Sequence, residues 1–492
     1  MTIDYEVGII GAGFAGLVAA LRLKRDRQDS FVIFERAAEI GGTWRDNVYP
    51  GCACDIASPL YSFAHAPKLD WSHAYAPQPE ILAYMQGVVD ERNLRPHLRL
   101  NTDITRAHFE AGAWTVEDAE GNRTRVRALL LGLGPLNRVH VPAFAGLADF
   151  QGRWFHSAEW DPSYDYQGKR VAVIGTGASA IQIVPSLAPQ VSELKVMQRT
   201  PAWVADRFDH PISETWQKRF ERWPRLMWLY REAHFWFNEG MGLGFIGHRR
   251  VNRLLDRLAR RKLAREVADP DTRRRLTPDY TIGCKRILRS DDYYPTFNQP
   301  HVHLISEGIE RFEPQGIRTA DGTLHELDLV VMATGFHVSD LAIPLTIEGL
   351  AKAPLFDALK QSGGDVYKGM TVPGFPNLAF ILGPNTGLGH NSVVHMMESQ
   401  MNYLTQYLQH LRSLPAGQGL DLKSAVLRGY SERLQQQFNG TVWTSGCQSW
   451  YLNADGKNNT LYPRLNTHFR RETRRFLPQE YRVVESERIK AK

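Results

Sequence analysis

Two glycine-rich stretches have the spacing that brings a polypeptide backbone close to a pyrophosphate. The first, Gly11-x-Gly13-x-x-Gly16, lies between an apolar strand pattern and a helix of small and apolar residues. The first glycine of such a loop permits a tight turn, the second admits the phosphates, and the third lets helix and strand pack closely. The next strand pattern ends at Glu35, a carboxylate placed to accept hydrogen bonds from a ribose hydroxyl. This stretch predicts a site for FAD or NAD.

The second stretch repeats the pattern with one change of charge. Gly175-x-Gly177-x-x-Ala180 follows an apolar strand pattern and leads into a helix. Arg199 ends the next strand pattern, at the same distance from the first glycine as Glu35 in the first copy. A guanidinium can bind a 2′-phosphate through two hydrogen bonds, whereas a carboxylate would repel it. The second site is therefore predicted to prefer NADP, unless Arg199 is merely an exposed residue at a strand end.

Both copies also return to their sheets with an apolar strand pattern that ends at a glycine, Gly134 in the first and Gly335 in the second. Two nicotinamides have nothing useful to exchange, so the natural pair is a resident FAD and NADPH as its hydride donor. The predicted fold class is α/β, with two Rossmann-like dinucleotide-binding domains (FAD and NADP) and a helical insert in the NADP domain.

Domain boundaries follow from these landmarks. The segment 209–281 is helical in pattern and rich in Trp, Arg and Leu, which marks it as an insert in the second nucleotide fold. The predicted order is 1–140, first part of the FAD-binding domain; 141–161, inter-domain linker; 162–208, first part of the NADP-binding domain; 209–281, helical insert; 282–345, second part of the NADP-binding domain; 346–492, second part of the FAD-binding domain with a C-terminal loop.

Composition narrows the function classes. Hydrophobic residues make up 43% of the 492 residues, ample for globular cores. The sequence has no uninterrupted apolar run long enough to predict an integral membrane segment. The first residues begin a strand pattern directly, without a targeting signal, so we expect a cytoplasmic protein. The four cysteines are too few and too scattered for a disulfide framework, which fits a reducing compartment. Cys52 and Cys54 have no second ligand pair at zinc spacing, so no metal site is predicted.

The positive charge is concentrated in one segment. Residues 249–275 hold eleven Lys or Arg and four Asp or Glu, whereas the whole chain carries a net charge of +6. Four apolar positions at helical spacing predict an amphipathic helix with a solvated basic face: Val251, Leu254, Leu255 and Leu258. The alternative is a surface that attracts an anionic cofactor or contacts a membrane peripherally. Nucleic acid is not expected, because no nucleic-acid-binding module accompanies the charge.

The stretch FQGRWFHSAEWD precedes the second glycine loop and carries a family fingerprint. It matches F-x-G-x-x-x-H-x-x-x-W-[P/D] through Phe150, Gly152, His156, Trp160 and Asp161. In this stretch the chain resembles the type I Baeyer-Villiger monooxygenases, a group within the class B flavoprotein monooxygenases. The resemblance implies that this stretch links the FAD and NADP domains and that His156 couples domain movement to catalysis. The alternative for His156 is a hydrogen-bonded linker histidine.

A second fingerprint of the same family, G-G-x-W-x-x-x-x-[F/Y]-P-[G/M]-x-x-x-D, is matched by Gly41, Gly42, Trp44, Tyr49, Pro50, Gly51 and Asp55. The resemblance implies an NADPH- and O2-dependent enzyme that converts ketones to esters or lactones through a C4a-peroxyflavin. Arg286 matches the family arginine that stabilises this anion, and Asp55 matches its carboxylate partner. The alternative for Arg286 is a structural ion pair with Asp291 or Asp292.

The resemblance also implies roles for other residues. Lys285 matches a residue that assists in binding the NADP 2′-phosphate, next to Arg199 and Thr200. Thr43 and Trp44 match positions on the FAD side. Trp450 lies where relatives have a tryptophan in a mobile loop over nicotinamide and substrate, although the residues that follow, 453–457, depart from the family's Pro-Gly-Lys element. Core packing is the alternative for Trp450.

Three other functions remain as alternatives. A flavin-containing N- or S-oxygenase acting on amines or sulfides shares the loops, but that class has Tyr or Phe where this chain has Trp160. A pyridine nucleotide-disulfide reductase needs a C-x-x-C pair near the flavin, and Cys52-Ala-Cys54 has a different spacing. A flavin-binding sensor would need neither Arg286 nor Asp55. The physiological substrate and the oligomeric state do not follow from the sequence.

Overall fold

The computed structural model describes residues 2–338, 343–447, 449–453 and 455–485. The first nucleotide fold begins with β1, Tyr5–Ile10, which lies within a sheet of parallel and antiparallel strands. Its elements are α1 (Phe14–Arg25), β2 (Phe31–Phe34), α2 (Thr43–Asp46), α3 (Gln78–Glu91), β3 (Leu98–Arg99), β4 (Ile104–Glu110), β5 (Ala113–Asp118) and β6 (Arg123–Leu131). β1 pairs in parallel with both β2 and β6, so the return strand predicted to close at Gly134 is confirmed.

The second nucleotide fold has its own sheet. Its first part contains β7 (Arg153–His156), β8 (Arg170–Ile174), α4 (Ala180–Leu187), β9 (Glu193–Met197) and β10 (Val204–Ala205). β7 is an edge strand of this sheet and pairs with the strand that leads to Gly335. Four of the twelve residues of the fingerprint stretch therefore form a strand of this sheet, within the segment predicted as a linker, 141–161.

The insert is helical, as predicted, with α5 (Glu214–Arg222), α6 (Pro224–Gly242), α7 (Arg249–Glu266) and α8 (Pro270–Arg275). The predicted apolar face of α7 is partly wrong. Leu255, Ala259 and Leu263 are buried, but Leu254 and Leu258 are about half exposed. Apolar residues lie at helical spacing on both sides of α7, and packing against the NADP domain buries only one side.

After the insert the chain completes the second fold and returns to the first. The completing elements are β11 (Leu288–Arg289), α9 (Tyr293–Thr296), β12 (Val302–Ile305), β13 (Ile309–Glu313), β14 (Gly316–Thr319), β15 (Leu324–Glu326) and β16 (Leu329–Met332). The second sheet has the order β12-β9-β8-β16-β7 in the described residues. β16 pairs in parallel with β8, which confirms the second predicted return strand.

The last part of the chain rejoins the first sheet, as predicted. It contains β17 (Thr346–Glu348), α10 (Leu355–Gln361), β18 (Leu378–Phe380), α11 (Val393–Ser413), β19 (Gln418–Leu422), α12 (Ser424–Gln436), α13 (Asn466–Glu472) and β20 (Tyr481–Glu485). β17 pairs with β4 and β18 with β6, and α11 packs against α1.

One prediction about the cysteines is wrong. Cys284 and Cys447 form a disulfide bond across 163 residues of sequence, while Cys52 and Cys54 are free and buried. Counting and spacing cannot reveal such a pair, because only the tertiary fold brings the two residues together. The bond removes the argument for a reducing compartment that rested on the cysteines. In the part of the chain that the structure describes, no helix is long and apolar enough to cross a bilayer.

Candidate active site

In the first glycine loop, backbone atoms lie so close to the glycines that no side chain would fit. A Cβ on Gly16 would lie 1.9 Å from the carbonyl oxygen of Gly11, and a Cβ on Gly11 would lie 2.6 Å from that of Gly132. A Cβ on Gly42 would come within 3.3 Å of Gly13 Cα, so two glycine backbones face each other beside the N-terminus of α1. This bare backbone at a helix N-terminus fits the pyrophosphate of FAD.

Glu35 ends β2 as a buried and fully engaged carboxylate. Ala12 and Ala37 donate their backbone N–H groups to it at 2.9 and 3.1 Å, and Arg45 Nη1 donates at 3.0 Å. The same carboxylate thus holds the glycine loop in place and lies at the position predicted for a ribose contact. Thr43 begins α2 next to the loop.

Trp44 follows Thr43 in α2 and is buried, and its indole N–H donates to the Tyr61 hydroxyl at 3.2 Å. The tryptophan of the second fingerprint therefore anchors the segment beside the first glycine loop.

The second glycine loop is more open than the first. Gly175 has a φ of +121°, and a Cβ there would lie 2.3 Å from the Ala333 carbonyl oxygen. A Cβ on Gly177, in contrast, would meet no atom within 4 Å. Ala180 already carries a side chain at the third position, where α4 begins. The open space next to Gly177, together with the N-terminus of α4, would suit the phosphates of a second dinucleotide.

Two cations collect at the strand end that follows this loop. Arg199 is exposed just after β9, and Lys285 Nζ lies 4.8 Å from the centre of the Tyr280 ring. Burial and the nearby charge of Arg199 lower the pKa of Lys285 below its usual value. Two neighbouring like charges favour the binding of an anion, as the 2′-phosphate of NADP would supply. Thr200 closes the loop, because its carbonyl oxygen accepts a 2.8 Å bond from the Thr176 hydroxyl.

Asp55 and Arg286 form an ion pair between the two nucleotide folds. Arg286 Nε donates to Asp55 Oδ2 at 3.1 Å, and Arg286 Nη2 donates to Oδ1 at 2.9 Å and to Oδ2 at 2.7 Å. The guanidinium thus pairs with Asp55 rather than with Asp291 or Asp292. Asp291 is instead the acceptor for backbone N–H groups of Arg207, Phe208 and Asp209.

The electrostatics of the pair keep both groups charged. Burial alone would raise the pKa of Asp55, but the charge and hydrogen bonds of Arg286 outweigh it and lower the pKa. The charge of Asp55 in turn raises the pKa of Arg286. About a third of the Arg286 side chain stays exposed (32%), so the guanidinium can meet a ligand while it is held by Asp55.

Two further arginines surround Asp55, and sequence reasoning missed both. Arg289 Nη1 donates to the Tyr75 hydroxyl at 3.1 Å, and Arg207 Nη2 donates to the Cys54 carbonyl oxygen at 3.1 Å. After Arg286, the charges of Arg289 and Arg207 also lower the pKa of Asp55. The sequence pattern around these arginines gave little indication of the site. They lie at or just beyond β10 and β11, which are parallel strands of only two residues each.

The segment that carries Asp55 docks on the NADP domain through α4. Gln182 Nε2 donates to the Ala53 carbonyl oxygen at 2.9 Å, and the Tyr49 hydroxyl donates to Gln182 Oε1 at 3.0 Å. A Cβ on Gly51 would lie 2.7 Å from the Gln182 carbonyl oxygen, so the close approach requires glycine. The second fingerprint therefore positions Asp55 by fixing one domain on the other.

Trp450 is an exposed residue of the C-terminal loop. Its side chain is 47% exposed and its ring contacts Tyr451 at a centroid distance of 4.4 Å. Tyr451 is the buried residue of the pair, and burial raises its pKa to about 12 although the charge of Arg286 acts in the opposite direction. Sequence reasoning selected Trp450, whereas the structure brings its neighbour to Arg286. The Cys284–Cys447 bond ties this loop to the segment that begins with Lys285 and Arg286.

His156 is fully buried and does not join the Arg286 cluster. Its Nε2 bonds to the Gly335 carbonyl oxygen at 3.0 Å, and its Nδ1 accepts from the Ala158 N–H at 3.1 Å. Accepting at Nδ1 requires the neutral ring, and burial lowers the pKa of His156 accordingly. Trp160 packs edge-on against Phe155, so the fingerprint stretch is fixed to the NADP sheet.

Similar proteins were found by family, by sequence and by structure. A family model described as flavin-binding monooxygenase-like matches residues 4–227. A Baeyer-Villiger monooxygenase of Streptomyces coelicolor is 43% identical to this chain over 97% of this chain and 92% of its own length. A Baeyer-Villiger monooxygenase of Pseudomonas aeruginosa is also 43% identical, over 97% of this chain and 91% of its own.

Solved structures agree with these relatives along nearly the whole chain. A complex of OTEMO with FAD and NADP has a TM-score of 0.87 and 26% identity, and covers 98% of this chain and 100% of that chain. The closed structure of cyclohexanone monooxygenase has a TM-score of 0.86 and 26% identity, and covers 99% of this chain and 100% of that chain.

Proposed function

This chain belongs to the Baeyer-Villiger monooxygenases, which are flavoproteins that use FAD and NADP, and from that premise we propose that it inserts one oxygen atom of O2 beside the carbonyl group of a ketone. The product is an ester or, from a cyclic ketone, a lactone. The observation that carries the proposal is the Asp55–Arg286 pair between the two nucleotide folds, with its guanidinium partly exposed.

Arg286 is proposed to hold the negative charge that develops during oxygen insertion. When bound, FAD accepts the hydride of NADPH and activates O2. A guanidinium suits the task of the protein, because it stays charged and can donate to more than one oxygen. A unit charge at about 4 Å in an effective dielectric near 20 is worth about 4 kcal/mol. That corresponds to roughly a thousandfold in rate.

Asp55 is proposed to orient the guanidinium. All three hydrogen bonds between the two side chains involve Nε and Nη2, so Asp55 leaves Nη1 free of its own contacts, and we propose that Nη1 donates to the substrate. Tyr451 of the C-terminal loop interacts electrostatically with the pair, and Trp450 is proposed to contact the substrate when this loop closes. His156 is proposed as a positioning residue, since it holds the fingerprint stretch against Gly335.

The two glycine loops are proposed to hold the cofactors. The first would bind FAD through Gly11, Gly13, Gly16, Glu35, Thr43 and Trp44, with Asp55 near the flavin; the second would bind NADPH through Gly175, Gly177, Ala180, Arg199, Thr200 and Lys285. The fit rests on the bare glycine backbones at two helix N-termini and on the cation pair after β9.

The decisive experiment separates flavin reduction from oxygen insertion in Arg286→Ala. We expect anaerobic reduction by NADPH within a few-fold of the wild-type rate, because hydride transfer does not require the guanidinium. Ester formation, measured by gas chromatography, should fall about a thousandfold. NADPH oxidised in air should instead appear as hydrogen peroxide. Ester formation that survives within a few-fold would remove Arg286 from this role.

A matched control exists far from the site. Arg482 donates two hydrogen bonds to the buried Asp421, so Arg482→Ala also breaks an arginine–aspartate pair. Its ester formation per bound flavin should stay at the wild-type level. The wild type and Arg482→Ala are assayed with a panel of ketones, sulfides and amines. An ester from a ketone supports the proposed reaction, whereas oxidation of sulfides or amines alone would favour the heteroatom oxygenase.

A further inference from the structure

The outward face of α6 is apolar, which is the reverse of a usual surface helix. Trp228, Leu229, Trp236 and Phe237 lie along this face and are 57%, 56%, 60% and 56% exposed. We call these four residues the aromatic face. Large apolar patches are rare on the surface of a monomeric protein and mark a site of interaction.

The inner face of α6 packs Met227 and Phe235 into the core and also carries buried polar side chains that fix this orientation. Buried Glu239 accepts hydrogen bonds from Asn391 Nδ2 at 2.9 Å and from the backbone N–H of Thr467 at 3.0 Å. It also contacts His390 Nε2 at 3.1 Å. Buried Arg231 donates to the Ser62 carbonyl oxygen at 3.0 Å. Rotating α6 to hide its aromatic face would break these bonds in the interior, so the face stays outward.

The helices next to α6 in the chain are strongly cationic. Across α5, α6 and α7, eleven Lys or Arg side chains are exposed, against two exposed acidic ones, Glu214 and Glu221. The guanidiniums of Arg219 and Arg222 lie 4.8 and 5.1 Å from the ring centres of Trp216 and Trp223, which are also exposed. Exposed aromatic rings interleaved with arginines are typical of helices that lie in a membrane interface.

We propose that the insert docks on an anionic lipid bilayer, with the aromatic face of α6 in the headgroup layer and the arginines of α5 and α7 against the lipid phosphates. The contact is peripheral, and α6 lies along the surface. A second copy of this chain fits less well, because a two-fold dimer would bring the same cationic flanks together. The charge of the insert instead matches an anionic partner.

Vesicle flotation with the purified holoenzyme tests the proposal. The probes are vesicles of phosphatidylcholine alone and of phosphatidylcholine mixed with phosphatidylglycerol. We expect the wild type to partition at least about tenfold more strongly to the anionic vesicles. Trp236→Ser/Phe237→Ser should lower that partition by about tenfold or more. Trp154→Ser is the matched control, because Trp154 is an exposed tryptophan outside the insert and its loss should leave the partition to vesicles unchanged.

Flavin content and turnover of a water-soluble ketone report whether each variant is folded. If the double variant loses its flavin, Arg253→Glu/Arg257→Glu on α7 replaces it, with the same expected loss of partition. No partition of the wild type to anionic vesicles would overturn the proposal. So would a wild-type dimer in light scattering that the double variant converts to a monomer, because the aromatic face would then belong to a second copy.

Discussion

The two glycine loops begin alike and end differently. Each follows a buried parallel strand, β1 or β8, and each opens with a glycine of positive φ. α1 begins at Phe14, whereas α4 begins at Ala180, two residues later relative to the first glycine of its loop. The early start of α1 forces Gly16 against Gly11, while the later start of α4 leaves room for the side chain of Ala180.

The charged residues at the two strand ends also differ, and the difference agrees with the glycine geometry. Glu35 is buried and already has three protein donors, so the first site is preorganised. At the second strand end, burial and the charge of Arg199 together outweigh the charge of Asp279 and lower the pKa of Lys285, so an anion bound there would relieve the repulsion. A preorganised site suits a cofactor that stays, and a site completed by its ligand suits one that is exchanged. The geometry of the glycines and the charges at the two strand ends thus favour the same two proposed roles.

The largest expected effect is in the first loop. Gly16→Ala places a Cβ 1.9 Å from a backbone oxygen, so the loop must open. We expect FAD affinity to fall by more than about a hundredfold, since a shift of this size breaks the contacts of the whole cradle. Flavin absorbance of the purified protein measures it. The converse change, Ala180→Gly, should cost at most about 1 kcal/mol of stability from helix propensity and leave FAD content unchanged. Equal FAD loss in both variants would break the comparison.

A smaller effect is expected at the cation pair. Each charge-assisted hydrogen bond to the 2′-phosphate is worth about 1.5–3 kcal/mol. Arg199→Ala and Lys285→Ala should each raise KM for NADPH by roughly 10- to 100-fold, with kcat at saturation within a few-fold. NADH is the internal control, because it lacks this phosphate and its KM should not change. If both variants keep the wild-type preference for NADPH over NADH, the 2′-phosphate must bind elsewhere.

The sequence predicts the features that lie within one glycine loop and its neighbouring strands. It does not predict the contacts between residues that are far apart in the chain. The glycine spacing and the residue at the end of the next strand belong to one short, continuous segment. Both loops, and the change from Glu35 in the first to Arg199 in the second, could therefore be predicted from the sequence. Asp55 and Arg286 are 231 residues apart and were paired only through a family resemblance. Arg207, Arg289 and the Cys284–Cys447 bond left no periodic signal, because contacts between distant segments create them.

The smallest expected effect concerns pH and sharpens the role of Lys285. Burial and Arg199 lower its pKa, so Lys285 loses its proton at a lower pH than an exposed lysine. The 2′-phosphate, with a pKa near 6, is fully ionised above about pH 8. Binding NADPH favours the charged amine, so affinity must fall as pH rises and KM should increase several-fold between about pH 8 and 10.

Three controls separate this cause from others. KM for NADH should stay flat over the same range, because NADH has no phosphate next to the amine. Lys285→Arg should flatten the NADPH profile, since a guanidinium keeps its proton. Tyr280, the ring beside Lys285, has a pKa raised to about 12 by burial and therefore stays neutral. A rise in KM that persists in Lys285→Arg would show that another group titrates, and the second loop would then owe its preference to Arg199 alone.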